Sequence, residues 1–509
     1  MARTILFLVL VSASFTACSP GPREYSKTPS YAAKPQTDTR LAEVRRKLGD
    51  PRDGRSGVKL ISNGEEAFAA RMLLAAEADV SLDAQYYLLH NDPTGQLFAW
   101  SLLEAADRGV RVRLLLDDMD TSGYDAMTAA LDAHENIEIR LFNPFWRDQN
   151  LLFAGITDFN RINRRMHNKS MTADNTISIV GGRNIGAEYF LAKEEMNYAD
   201  LDILVAGPVV NQVSDNFDAY WNSDFAVPAK VVIGDPVEVA LDDARERLRA
   251  LVTEARQTRY ADAVRKAAKD KFTLRTLNLD WVPATLYSDP PEKAAGDATT
   301  QPILASKLVP YFEAAKDSVN IVSAYFVPRR NGVEWLNELE DRGVDVRVVT
   351  NSLASNDVAP VYAHYAKRRR ALLEGGVELH ELRPDADRVD QRGVNWGQSR
   401  SGLHTKAFTI DDRYLFVGSF NWDPRSVNIN TEMGVLVDSP IVAQRAADVL
   451  DDVLQDHTYA VRLDETGQIT WQTIREDGAR HVYRQEPTGS FWQQVKAGIL
   501  SVLPIGSQL

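Results

Sequence analysis

Residues 167–184 read HNKSMTADNTISIVGGRN, and residues 404–421 read HTKAFTIDDRYLFVGSFN. They agree at a constant offset of 237 residues: His167 with His404, Lys169 with Lys406, Asp174 with Asp411, Gly181 with Gly418, Asn184 with Asn421. Each reads as a β-hairpin, two short apolar strands around a polar turn at Asp174-Asn175 or Asp411-Asp412-Arg413. Positions i and i+2 of a strand share a face, so each His points the same way as its Lys. The Asn falls where the return strand leaves the sheet. His, Lys and Asn therefore converge at one end of the hairpin, and the Asp occupies the turn at the other. The candidate catalytic set is His167, Lys169, Asp174, Asn184, His404, Lys406, Asp411 and Asn421, within which the two aspartates read as structural turn residues.

Working outward, the repeat extends over whole domains. AEADVSLDAQYYL at 76–88 answers to AKDSVNIVSAYFV at 315–327, each the end of a helix leading into a buried strand. Asp107-Arg108-Gly109-Val110 answers to Asp341-Arg342-Gly343-Val344, a glycine-ended helix before a Val-rich strand, as in an αβ unit of a parallel sheet. The spacing is far longer than a solenoid period, so a domain has been duplicated. The fold expected is α/β: two duplicated α/β/α sandwich lobes with mixed β-sheets, packed face to face about a pseudo-twofold axis. The lobes are expected over residues 56–230 (motif 161–188) and 284–460 (motif 398–425). A helical connector at 231–283 and an amphipathic C-terminal segment at 461–509, with an apolar stripe from Phe491 to Leu503, complete the division.

A His–Lys–Asn cluster present twice suits displacement at phosphorus. That reaction needs a nucleophile, a general acid for the leaving alkoxide, and donors around the non-bridging oxygens. Two imidazoles supply the first two, and two Lys and two Asn supply the third without a metal or other cofactor. A carboxylate on one ring nitrogen fixes the tautomer of the other. Aligning DILV at 202–205 with GVLV at 434–437 sets Asp200 opposite Glu432, an acidic residue on the strand after each motif and placed for that role.

The pattern His-x-Lys-(x)4-Asp-(x)6-Gly-(Gly/Ser), twice in one chain, resembles the phospholipase D superfamily over about residues 56–460. The surroundings, NRINRRMHNKS, GGRNIGAEYF and SFNWDPRS, resemble bacterial cardiolipin synthases of the C type. The resemblance implies one active site at the lobe interface, with His167 forming a phosphohistidine and His404 protonating the leaving group. It implies that Lys169, Lys406, Asn184 and Asn421 bind phosphate and that Asp200 and Glu432 orient the histidines. It also implies phosphatidyl transfer to an alcohol, giving cardiolipin when both partners are phosphatidylglycerol, with phosphatidylethanolamine a further candidate substrate. Hydrolysis to phosphatidic acid, or an exported nuclease using the same site, are the rival readings.

Arg161, Arg164 and Arg165 precede the first motif and Arg183 lies within it. Arg164, Arg165 and Arg183 are expected to meet the lipid headgroup, against the alternative of a solvated charged face. Lys367-Arg368-Arg369-Arg370 reads as a solvated helix face or a contact for anionic lipid. The net charge of −13 argues against nucleic acid as a partner. One cysteine excludes an internal disulfide and a cysteine zinc cage, and no run of about 18 apolar residues suggests a spanning helix. Residues 1–17, with Arg3 and an apolar run from Ile5 to Val11, read as a secretory signal, and Phe15-Thr16-Ala17-Cys18 resembles a lipobox. Acylation of Cys18 is the expected anchor, residues 18–55 the tether and N-terminal segment, and the periplasm-facing bacterial envelope the location, with the membrane surface as a partner.

Overall fold

The computed structural model describes residues 25–148, 158–193, 196–234, 240–273, 276–296, 303–385, 400–474 and 479–487. The signal segment, Cys18 and the apolar stripe beyond Pro487 lie outside these residues. No described helix is long and apolar enough to cross a membrane.

Two large mixed sheets carry the two motifs. At the centre of the first, strand Ser81–Tyr86 lies between parallel Arg111–Asp117 and antiparallel Ser170–Ala173, the outgoing strand of the first hairpin. At the centre of the second, Ser318–Ser323 lies between parallel Asp345–Asn351 and antiparallel Lys406–Ile410. The hairpin return strands, Ile177–Gly181 and Tyr414–Gly418, pair onward with Asp202–Ala206 and Met433–Asp438. The last two are buried on both faces. Leu204 and Leu436 face their own lobe's core, whereas Ile203, Val205, Met433, Val435 and Val437 join Val180 and Val417 in an apolar core shared by the lobes. Alternation along one strand thus stabilises a lobe with one face and the lobe interface with the other.

The motif turns show why aspartate stands there. Asp174 and Asn175, and likewise Asp411 and Asp412, adopt φ of 52° and 46°, the left-handed region that Asn and Asp tolerate best. The Asp174 carboxylate then accepts the backbone N–H groups of Asp79, Val80 and Ser81, the last two at 2.8 and 3.0 Å. Asp411 does the same for Lys316, Asp317 and Ser318. Each carboxylate staples its hairpin to the start of the neighbouring strand. Both carboxylates are thereby engaged at the turn end of the hairpin, away from His167 and His404.

Three segments depart from the boundaries read from the sequence. The N-terminal stretch is no free tether once it reaches Tyr25. Ser30 and Thr28 carbonyls accept from the buried Arg113 and Arg140 guanidiniums at 2.8 and 2.7 Å, and Ala32 N–H donates to Asp218. Pro, Ser and Lys composition suggested a loose chain, but buried cations in the first sheet hold its carbonyls. The connector is part of the first lobe: helices Leu241–Ala255 and Arg259–Lys271 pack on helices Pro93–Asp107 and Gly64–Glu77, and strand Asp280–Val282 adds to the first sheet. Finally, Thr458–Leu463, Ile469–Ile474 and Arg480–Tyr483 extend the second sheet by three antiparallel strands, so the second lobe runs well past residue 460.

Candidate active site

Each motif histidine is held by the opposite lobe. His167 N–H donates to the Thr431 carbonyl at 2.9 Å, and His404 N–H to the Ala199 carbonyl at 2.8 Å. Strand Arg400–Leu403 also pairs in parallel with Met196–Ala199 of the first lobe. The side chains repeat the exchange. His167 Nδ1 lies 2.9 Å from Glu432 Oε2, and His404 Nδ1 lies 2.7 Å from Asp200 Oδ2. A carboxylate on Nδ1 leaves Nε2 of each ring for chemistry. Asp200 and Glu432 stand just before their strands rather than on them, where the chain crosses the interface.

The two dyads are built differently. Glu432 also accepts the Ser419 hydroxyl at 2.5 Å and the Ser426 hydroxyl at 2.8 Å. Despite burial, His167, Lys169 and these donors hold its carboxyl below the usual range. At the position matching Ser419 stands Gly182, where an added Cβ would lie 2.3 Å from Asp200 Oδ1. The serine that replaces a glycine in the second motif therefore serves Glu432, and its counterpart must be glycine to admit Asp200. Asp200 has fewer donors, and burial raises its carboxyl.

The titratable groups of the site are buried. Burial lowers His167 to about 4, and burial together with Lys406 and Lys169 holds His404 well below its ordinary value. Lys169 is likewise lowered by burial, and Lys406 falls to about 8. Lys169 Nζ donates to the His167 carbonyl at 2.7 Å, and Lys406 Nζ to that of His404. Each ammonium is thus fixed beside its own histidine. Tyr87 packs edge-on to His167, and Tyr189 and Tyr198 flank His404, all with ring centroids 5.0–5.3 Å away. Tyr198 and Tyr325, one from each lobe, donate to the exposed Asp357.

The two asparagines are unequal. Asn184 accepts from Leu88 N–H and donates to the Tyr189 hydroxyl, whereas the buried Asn421 Oδ1 has no hydrogen-bond partner among the described residues. The arginine expectation needs correction. Arg165 is buried against Asp117 at 3.2 Å and the Asn143 carbonyl at 2.8 Å. Arg183 is buried against Asp202 at 3.2 Å and four backbone carbonyls within the first lobe, those of Ile61, Ser62, Tyr189 and Asp200. Both are buried and engaged within the first lobe rather than presented to a headgroup. Arg164 bridges to the second lobe through the Lys293 and Asn428 carbonyls. In the basic run, Arg369 is neither solvated nor lipid-facing: it is buried between Glu381 and Glu486, its guanidinium over Tyr362 and Tyr365.

Sequence reading gave no role to Tyr87, Ser426 or Asp357, which join the site through the Tyr87 ring on His167, the Ser426 hydroxyl on Glu432 and the Asp357 bonds to Tyr198 and Tyr325. It also gave His90 no partner. His90 Nδ1 meets Glu188 Oε1 at 3.1 Å beside Asp92, a grouping with ligand atoms within 4.8 Å of one another. Asp92 there caps helix Pro93–Asp107 through Gly95 N–H and accepts Ala187 N–H.

One site with two oriented imidazoles and two buried ammoniums can form and cleave a phosphorus–nitrogen bond. Residues 71–221 and 308–454 match the family described as cardiolipin synthase, PLD-like domain. The chain is 41% identical to cardiolipin synthase C of Escherichia coli K12 over 92% of its own length and 99% of that protein's. It is 24% identical to cardiolipin synthase B of Salmonella typhimurium over 89% and 93% of the two chains. The fold is similar to that of phosphatidylserine synthase from Haemophilus influenzae, with a TM-score of 0.54, 15% identity, and coverage of 82% and 91%. With the family matched in both lobes and a relative aligned almost end to end, the chain belongs to the cardiolipin synthase family of phospholipase D-like enzymes.

Proposed function

We propose that the protein transfers a phosphatidyl group from one phosphatidylglycerol to another, making cardiolipin and releasing glycerol. His167 Nε2 attacks phosphorus and the bond to the leaving alkoxide breaks, while His404 gives that oxygen a proton. The acceptor hydroxyl then attacks the phosphohistidine, returns its proton to His404, and the phosphorus–nitrogen bond breaks. Lys169, Lys406 and Asn421 line the place where charge develops. Low affinity of both rings for protons keeps His167 a free nucleophile, and the negative charge of bound phosphodiester favours protonation of His404 beside it.

The observation that carries this reading is the crosswise pairing of His167 with Glu432 and His404 with Asp200, which makes one complete site from two half-motifs. Phosphatidylethanolamine is a further candidate substrate. The expected setting is the periplasmic side of the envelope, with acylated Cys18 as anchor. Purified protein incubated with phosphatidylglycerol, with and without phosphatidylethanolamine, should yield cardiolipin and glycerol, or ethanolamine in the second case. Phosphatidic acid as sole product would replace transfer by hydrolysis. Fatty-acid labelling that is equal in wild type and Cys18→Ser would refute the anchor.

A further inference from the structure

The 237-residue offset that aligns the motifs also aligns the helices beside them, and it isolates one place where the lobes differ. In the second lobe a cavity of about 450 Å³ lies between helix Leu304–Glu313, helix Arg330–Asp341 and the segment on either side of Asn421. Phe312, Trp335 and Trp422 form its wall, with ring centroids 5.4–5.8 Å apart. Val309, 39% exposed, and the exposed Arg329 stand at its edge.

The inner part of the matching place in the first lobe is full. Arg71 stands where the second lobe has Leu308, and Arg183 where it has Phe420; both guanidiniums are buried on Asp202. Phe98, fully buried, takes the place of Trp335. Two glycines measure the contrast. A Cβ on Gly95 would lie 1.8 Å from the His90 carbonyl oxygen, whereas on the matching Gly332 its nearest neighbour is Pro328 Cβ at 3.4 Å. A cavity of the first lobe shares the outer part of this place, through Phe68, Met72 and Thr94 where the second lobe has Ala305, Val309 and Asn331, but it is walled by helices Leu241–Ala255 and Arg259–Lys271 and takes nothing from residues 183–191.

The cleft shares an end of the sheet with the chemistry. Ser323 pairs with Lys406, and the chain turns from Ser323 directly into the wall at Val327–Arg329. Phe420 and Trp422 flank Asn421 itself. Ligands of such sheets bind beyond the strands' carboxyl ends, and an apolar cavity of this size suits a small hydrophobic group.

We propose that this cleft takes one fatty acyl chain of the phospholipid whose phosphodiester is opened between His167 and His404, so that the second lobe grips the diacylglycerol half. The proposal rests on the phosphatidyl-transfer reading above. An aromatic slot with Arg329 at its edge, walled by Phe420 and Trp422 on either side of Asn421, fits a hydrocarbon chain joined to an anion.

Gly332 supplies the test. It lies in a helix, outside the left-handed region, and a side chain there favours the helix over glycine. Gly332→Leu and Gly332→Phe should fill the cleft without unfolding the lobe. With monomeric phosphatidylglycerols of increasing chain length, wild-type kcat/KM should climb by up to about fourfold per methylene seated. The slope should flatten in both variants, more in Phe than in Leu, while turnover of bis(p-nitrophenyl) phosphate, which has no acyl chain, stays within about twofold. A phosphatidylglycerol with a diazirine in its acyl chain should label residues 304–335 or 420–428. Unchanged slopes, parallel loss on the chain-free substrate, or labelling elsewhere would overturn the proposal. A wild type that hydrolyses bis(p-nitrophenyl) phosphate but makes no cardiolipin would overturn the transfer reading instead, and shows itself before any variant is made.

Discussion

His167 and Glu432 stand 265 positions apart in the chain and meet at 2.9 Å across the lobe interface. The first motif is therefore oriented by the second lobe, and through His404 and Asp200 the second by the first. Glu432→Gln keeps the shape but loses the charge that fixes the tautomer of His167. Loss of an orienting carboxylate at a histidine is expected to cut kcat by about 10³–10⁴. Phosphate trapped on His167 after rapid quench should fall in step. Activity within tenfold of wild type would show that Glu432 does not act through His167.

The serine of the second motif and the glycine of the first are not interchangeable. Ser419→Gly removes one donor to Glu432 and should slow turnover by about tenfold, the worth of one hydrogen bond to a charged group. Gly182→Ser should be far worse, because its Cβ would sit 2.3 Å from Asp200 Oδ1 and displace the carboxylate that holds His404. Kinetics of the two single variants, with circular dichroism to confirm folding, check the asymmetry.

Anion binding should weaken with alkali. Lys406 falls to about 8 because it is buried. Its ammonium is charged below that pH and neutral above it, so binding of dimethyl phosphate, a monoanion throughout this range, should weaken as pH rises through about 8, by up to tenfold per unit. Lys406→Arg, whose guanidinium does not titrate in this range, should lose the dependence. Calorimetric titrations at pH 6.5–9.5 decide it, and a flat wild-type profile counts against the assignment.

Asp174→Ala and Asp411→Ala should damage stability more than chemistry. Each removes a carboxylate that accepts three backbone N–H groups at a strand start, and stranded buried donors cost roughly 1–3 kcal/mol apiece. A lower melting temperature is expected, with kcat of the remaining folded enzyme within a few-fold. Intact stability with abolished turnover would return both residues to the catalytic set.

The site was legible because its chemistry is local: His, Lys and Asn share one hairpin, and a second copy discriminates signal from chance. The duplication gave the two lobes by the same logic. What escaped was set by contacts between distant strands. An arginine reads identically in sequence whether it faces water or, like Arg165, is buried on Asp117. The stretch around Ser30 reads as tether until Arg113 and Arg140, themselves hidden in strands that look merely apolar, take its carbonyls. The unequal hydrogen-bonding of Glu432 and Asp200 needed Ser426, which ends the stretch SFNWDPRS but shows its bond to Glu432 only in the folded chain.

That inequality bears on which histidine forms the covalent bond. Family resemblance assigns the role to His167, and the local chemistry agrees. A nucleophile that acquires positive charge when it bonds to phosphorus benefits from a carboxylate held firmly ionised, and Glu432 is the one held below its usual range while burial raises Asp200. His404 is then the acid and base. Replacing His404 by Ala should slow departure most for a poor leaving alcohol such as glycerol and least for p-nitrophenolate, which needs little protonation. Replacing His167 by Ala should abolish both reactions, since no intermediate forms without the nucleophile. Comparing phosphatidylglycerol with p-nitrophenyl esters separates the two roles, and quenched enzyme should carry acid-labile, base-stable phosphate on His167. The same phosphate mapped to His404 would exchange the roles and make Asp200, the less strongly ionised carboxylate, the partner of the nucleophile.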